Sequence, residues 1–249
     1  MVRVFIGFDP SEEVSYHVLS QSIQKHSSVP VSITPIRLSQ LKGVFERKKD
    51  PLQSTEFSFS RFLVPYLCDY EGWAVFMDCD MLFLDDIASL WEQRDEKYAL
   101  QVVKHNHIPR EDKKFLGQAQ SKYARKNWSS VMLFNNKKCQ ALSLDYIHTA
   151  SGLALHQFKW LEDTQIGSID KKWNHLVGYE NNPQASNVHY TTGGPYFKDY
   201  EHCDYHQEWK NALCELLQAK NSAPYLQKSM LHILHSRLAS ETVSEEYSS

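Results

Sequence analysis

The sequence has no surplus of charge of either sign: 27 Lys and Arg stand against 30 Asp and Glu, a formal net charge of -3. It therefore lacks the basic footprint of a nucleic-acid binder. One basic stretch, from Lys113 through Lys122, Arg125 and Lys126, reads as a solvated helix face, with a phosphate or membrane-surface role as its alternative. The five cysteines (Cys68, Cys79, Cys139, Cys203 and Cys214) are odd in number and contain no CxxC pair. That argues against a disulfide framework or a zinc cluster and for reduced thiols. No apolar run approaches the roughly 20 residues of a membrane-spanning helix. The opening Met1-Val2-Arg3-Val4-Phe5-Ile6-Gly7 is too short for the core of a signal peptide. These absences leave a soluble protein, expected in the cytoplasm, whose 249 residues one core can serve.

What is present is an alternation of buried strands and helices. Val2 to Phe8 reads as a strand, and Asp9-Pro10-Ser11-Glu12 as a helix start with Asp9 as cap and Glu12 completing a capping box. A helix from about Pro10 to His26 and a strand from Val31 to Leu38 complete a β-α-β unit, which predicts a mostly parallel α/β sheet. Ligands of such sheets bind beyond the carboxyl ends of the strands. Leu41 to Glu56 reads as a functional loop and Phe57 to Cys68 as a helical segment carrying Arg61. Further strands are expected at Trp73 to Met77, Tyr98 to Val103, Ser130 to Phe134 and Val188 to Tyr190, with a helix at Ile87 to Arg94. Residues 1–220 are expected to form one domain, followed over 221–249 by a helix and a polar tail. That helix carries Leu226, Met230, Leu231, Ile233, Leu234 and Leu238 at helical spacing, and packing on the domain or lying on a membrane surface are its two readings.

Two carboxylates separated by one residue follow the apolar strand, in Phe76-Met77-Asp78-Cys79-Asp80-Met81-Leu82-Phe83. Unpaired charges amid such large apolar residues are costly, so a solvated turn is a poor account of them. A hard divalent cation takes oxygen ligands, and Mg²⁺ or Mn²⁺ held by carboxylates keeps positions open for phosphate oxygens.

The chain resembles the GT-A glycosyltransferases, and among them glycosyltransferase family 8, the group of glycogenin and bacterial lipopolysaccharide galactosyltransferases. The resemblance runs from about residue 2 to 200 in colinear segments: Gly7-Phe8-Asp9; Phe59-Ser60-Arg61-Phe62-Leu63-Val64-Pro65; Asp78-Cys79-Asp80; Trp128 through Asn135; Lys172-Trp173-Asn174; and His189-Tyr190-Thr191-Thr192-Gly193. It implies a GT-A fold, a UDP-sugar donor, a sugar, lipid-linked or protein acceptor, and transfer with retention. It further implies that Asp78, Asp80 and His189 coordinate Mn²⁺ or Mg²⁺. Gly7, Phe8, Asp9, Tyr16, Cys79 and Gly193 would line the nucleotide side, Arg61 would hold the first acid or the donor sugar, and Asp163 and Gln165 would lie near the reacting face. Trp128, Trp173 and Asn174 are further sugar or acceptor contacts on the same reading.

The chain also departs from the family. The family's glycine-rich turn runs on to a lysine that reaches the diphosphate, whereas Gly193-Gly194-Pro195-Tyr196 has none in that place, which leaves Lys198 as a substitute. Ser129-Ser130 replaces an Asn-x-Gly, and Asp163-Thr164-Gln165 matches an Asp-Gln-Asp run only loosely. Rival readings fare less well. A haloacid-dehalogenase phosphohydrolase would carry its acids near the N-terminus, and a nucleotidyltransferase would open on a glycine-rich, Arg-containing loop that is missing here. A non-catalytic nucleotide- or sugar-binding module on the same fold remains the alternative from another class.

Overall fold

The computed structural model describes residues 1–50, 53–106, 124–179, 182 and 184–218. β1 (Val2–Gly7) leads through a short 3-10 turn at Pro10–Glu12 into α1 (Glu13–His26), and the chain returns as β2 (Val31–Ile36). Val18, Leu19 and Ile23 form the buried stripe of α1. Pro35 is tolerated because β2 is the terminal strand of its sheet, where a missing N–H costs no ladder bond. The expected capping box does not form. Asp9 Oδ1 accepts from the Ser11 N–H at 3.0 Å, while the buried Glu12 carboxylate turns inward and accepts from the Tyr196 hydroxyl at 2.7 Å.

The segment expected as one helix from Phe57 to Cys68 is instead a 3-10 turn at Ser60–Leu63 followed by α2 (Val64–Leu67). Pro65 explains the break: it has no N–H to return to Arg61, but suits the first turn of a new helix. β3 (Trp73–Met77) is buried along its whole length. After Asp80 come β4 (Met81–Phe83), α3 (Ile87–Trp91), β5 (Leu100–Val102) and β6 (Val131–Asn135). Beyond β6 lie α4 (Leu144–Thr149), α5 (Gly152–His156), β7 (Ile166–Ser168), β8 (His175–Leu176), β9 (Asn187–His189) and α6 (His206–Gln218). The strands β4, β7 and β8 are two or three residues long and were not expected from the sequence.

The main sheet has six strands in the order β2-β1-β3-β6-β5-β7. β1 runs parallel to β2 and β3, β5 parallel to β7, and β6 antiparallel to β3 and β5, so β6 alone opposes the others. The expected mostly parallel α/β sheet is therefore present with one reversed strand. That reversal matters for the site: the beginning of β6 lies beside the end of β3, where the Asp78 N–H donates to the Ser130 carbonyl at 2.9 Å. A second sheet, β4-β9-β8, pairs Met81 with His189 and brings β9 to the residues just after β3.

By contact grouping the chain divides into units of Met1–His206 and Gln207–Ser249. The first holds both sheets. Within the second, the described part is the helix running to Gln218, where Gln207 Nε2 donates to Asn211 Oδ1 at 2.9 Å. The amphipathic pattern of 226–238 and the basic positions from Lys113 to Lys122 lie outside the described residues. Among the described residues, no helix is long and apolar enough to cross a membrane.

Candidate metal centre and pocket

At the carboxyl end of β3 the apolar strand releases Asp78 and Asp80 with Cys79 between them. Cys79 belongs to the hydrophobic core, and its carbonyl accepts from Ser15 Oγ at 2.9 Å. Burial first, then the carboxylates of Glu12, Asp80, Asp78 and Asp9, push its thiol pKa well up, so it stays protonated. The two aspartates face other partners. Arg61 Nη1 donates to Asp78 Oδ1 at 2.7 Å and to the Ser129 carbonyl at 2.9 Å, and both side chains of this ion pair are buried. The guanidinium also lies 5.1 Å from the centre of the Phe57 ring and 5.2 Å from that of Phe76. Arg61 thus ties the 3-10 turn of residues 60–63 to the end of β3 and the entry to β6.

His189 is the last residue of β9, and its Nε2 lies 3.4 Å from Asp80 Oδ1. The backbone fixes this approach, since the Tyr190 N–H donates to the Asp80 carbonyl at 2.9 Å. Asn174 Nδ2 donates to the Asn127 carbonyl at 3.2 Å, which leaves Asn174 Oδ1 as the acceptor for His189 Nδ1 at 2.9 Å. His189 then donates from Nδ1 and turns Nε2 toward Asp80. A lone pair and a carboxylate oxygen at that separation repel unless a cation, a proton or a metal ion, lies between them. Asp78, Asp80 and His189 each offer one ligand atom, and these atoms lie within 4.8 Å of one another. Two carboxylates and an imidazole, the latter oriented by an outer amide, form a donor set that fits a divalent cation.

The cluster opens onto a cavity of about 310 Å³. One wall is drawn from Gln53 to Phe59 with Arg61, another is Lys126 and Asn127 with Ser129 and Ser130, and a third is α5 with its cap Ser151, ending at His156. Ser129 Oγ and His156 Nδ1 are 2.8 Å apart, and the imidazole sits edge-on to Phe62. Burial, then the charges of Arg61, Lys126 and Arg47, hold the His156 pKa well below the ordinary 6.5, so this imidazole is neutral at neutral pH. His156 was not singled out by the sequence. It lies in a short polar-apolar stretch with no motif around it, and only the α5 turn brings it to the pocket.

The remaining expected positions distribute unevenly. Gly7, Phe8, Asp9 and Tyr16 lie together at the end of β1 and the start of α1, outside the cavity lining. Phe8 and Tyr16 are edge-on at 5.4 Å, and the Arg37 guanidinium covers the Phe8 ring at 3.6 Å. Asp9 Oδ2 accepts from the Glu56 N–H at 3.0 Å, which ties the pocket segment to β1. Gly7 is required by packing, because a Cβ there would come within 2.3 Å of the Phe57 ring. Gly193 has φ 154, and a Cβ on it would come within 2.5 Å of Tyr200. Lys198 is exposed and outside the cavity lining. Asp163 and Gln165 are likewise outside it, on an exposed 3-10 turn: Asp163 pairs with Arg125 at 2.6 Å, and Gln165 Oε1 accepts from the Glu162 N–H at 2.9 Å. Trp173 is buried and stacked on Phe83 at 5.6 Å, Trp128 Nε1 donates to the His105 carbonyl at 2.7 Å, and Asn174 serves His189.

The mixed sheet with its reversed β6, the small sheet carrying His189 and the acid pair at the strand end define a GT-A glycosyltransferase fold. The chain aligns with the bifunctional glycosyltransferase WbbM at a TM-score of 0.60 and 14% identity, over 85% of this chain and 49% of that one. It aligns with the galactosyltransferase LgtC in complex with donor and acceptor sugar analogs at 0.55 and 10%, over 86% and 96%. For GlyE of Streptococcus pneumoniae the values are 0.56 and 15%, over 89% and 63%. The chain thus spans about half of WbbM, and at these identities the likeness is one of fold. No family model matches the sequence. The chain is 48% identical over 223 residues to Protein CDI of Arabidopsis thaliana, covering 86% of each, and it belongs to the same family as that protein.

Proposed function

We propose that the protein is a metal-dependent glycosyltransferase that moves a sugar from a UDP-sugar, with retention, to a sugar, lipid-linked or protein acceptor in the cytoplasm. The observation that carries this reading is the Asp78, Asp80 and His189 cluster, set at the carboxyl edge of a GT-A sheet and open to a cavity. Mn²⁺ or Mg²⁺ bound there would act as a Lewis acid on the departing diphosphate. The protein's own groups do the positioning. Arg61 fixes Asp78 through a charge-assisted bond, Asn174 selects the His189 tautomer, and the Gly7 to Tyr16 corner with Gly193 forms the nucleotide side, whereas Cys79, expected there, is a fully buried core residue that cannot touch the ligand. The serines and the neutral His156 on the cavity walls are hydrogen-bonding groups suited to sugar hydroxyls.

A second reading, a binding module without turnover, is favoured by the engagement of Asp163 and Gln165 in their own exposed turn. A titration with UDP, with and without Mn²⁺, on the wild type and Asp80→Ala tests the site. Binding that needs both the metal and Asp80 supports it, and indifference to both sinks it. Release of UDP from a UDP-sugar separates enzyme from module.

A further inference from the structure

Lys126 is 8% exposed, and it lines the same cavity as Asp78, Asp80 and His189. The same cavity carries the acidic residues Asp50, Asp78 and Asp80, and a cation in its wall is placed to meet the negative charge of a ligand that enters beside them. The backbone around it is built to hold that position. Arg125 and Asn127, the residues on either side, both have φ 64, the left-handed region that bulky L-residues rarely enter. The turn is closed by the Trp128 N–H donating to the Arg125 carbonyl at 3.1 Å. Arg125 is held on the far side, donating to the Gln157 carbonyl at 2.8 Å and to Asp163.

Asn127 lines the same cavity and supports the metal cluster through its backbone. Its carbonyl accepts from Asn174, whose Oδ1 orients His189. The position of Lys126 is therefore coupled through two contacts to the position of a metal-ligating imidazole. Lys198, the other lysine considered for an anion contact, is exposed and outside this cavity.

We infer that Lys126 is the anion-binding residue of the cavity, donating to a charged oxygen of the ligand beside the metal cluster. This rests on the donor reading for its ligand, and two chemistries share the feature: a phosphoryl oxygen of the donor diphosphate, or the carboxylate of an acidic sugar. The basic stretch that ends at Lys126 thus places its last cation inside the pocket wall.

The test is calorimetric binding to wild type, Lys126→Met and Lys126→Arg in the presence of Mn²⁺, with Mn²⁺ affinity measured separately by spin resonance. The probes are pyrophosphate, UDP, UMP, UDP-glucose and UDP-glucuronate. Lys126→Met should keep Mn²⁺ binding and lose roughly ten- to hundredfold affinity for the charged ligand, with Lys126→Arg recovering much of it. A loss shared by pyrophosphate, UDP and UDP-glucose but small for UMP assigns the diphosphate. A loss confined to UDP-glucuronate assigns the carboxylate. Equal affinities in wild type and Lys126→Met for every probe overturn the inference and leave the donor reading standing. Lys126-dependent pyrophosphate binding without UDP binding does the reverse. A wild type that binds none of the probes overturns both. Lys126→Gln, one bond shorter, polar and uncharged, serves if the methionine variant fails to fold.

Discussion

Asn174 meets His189 through Oδ1 and Nδ1 at 2.9 Å, and this contact settles which imidazole nitrogen is presented to Asp80. Removing an outer partner of a metal-ligating histidine ordinarily costs tenfold to a hundredfold in metal affinity. Asn174→Ala is therefore expected to weaken Mn²⁺ binding by about that factor, read by spin resonance of free Mn²⁺. Unchanged affinity would place the proton of His189 elsewhere.

Arg61 and Asp78 form a buried pair, so removing one partner strands the other. Arg61→Met should destabilise the fold by about 3–5 kcal/mol in chemical denaturation. Pairing it with Asp78→Asn should recover part of that loss, because no stranded carboxylate remains. Additive losses in the double variant would show that the two side chains do not interact.

His156 makes a pH prediction. Burial, with help from nearby cations, depresses its native pKa well below 6.5, so on acidification the unfolded chain takes up a proton that the native state refuses. Its effect is absent above about pH 6.5, and stability falls as the pH drops below that value until the native pKa is reached, by at most about 1.4 kcal/mol per pH unit. His156→Gln should flatten the stability curve between about pH 6.5 and 5, above the range where ordinary carboxylates titrate. Parallel curves for variant and wild type would exclude the residue as the source.

Gly7→Ala would drive a methyl group to 2.3 Å from the Phe57 ring. A loss of about 1–3 kcal/mol is expected from that overpacking. In the background of Phe57→Ala the same change should cost much less, and a double-mutant cycle by thermal denaturation checks it.

The acid pair was legible because its context is strong: a fully buried strand ends in two charges, which need cationic partners, and the structure supplies Arg61 for Asp78 and brings His189 to Asp80. The β-α-β opening was legible through its apolar runs and the Asp9-Pro10 start. Glu12 misled, since a local cap and a long-range bond to Tyr196 are written with the same residue. The short β8 at His175–Leu176 could not be read, because two residues carry no period. The reversal of β6 was equally silent, as an apolar strand reads the same in both directions. Lys126 was visible only as charge. Its neighbours Arg125 and Asn127 are both left-handed, and although asparagine favours that region, the arginine gave no sign of it.

Asp80 and His189 are joined by a cross-strand ladder, with Met81 opposite His189, although they lie at distant points of the chain. The candidate ligand set is thus complete only where β9 pairs with β4, and a segment ending before β9 holds only its two acids. A cation held by all three groups would therefore require the finished tertiary structure.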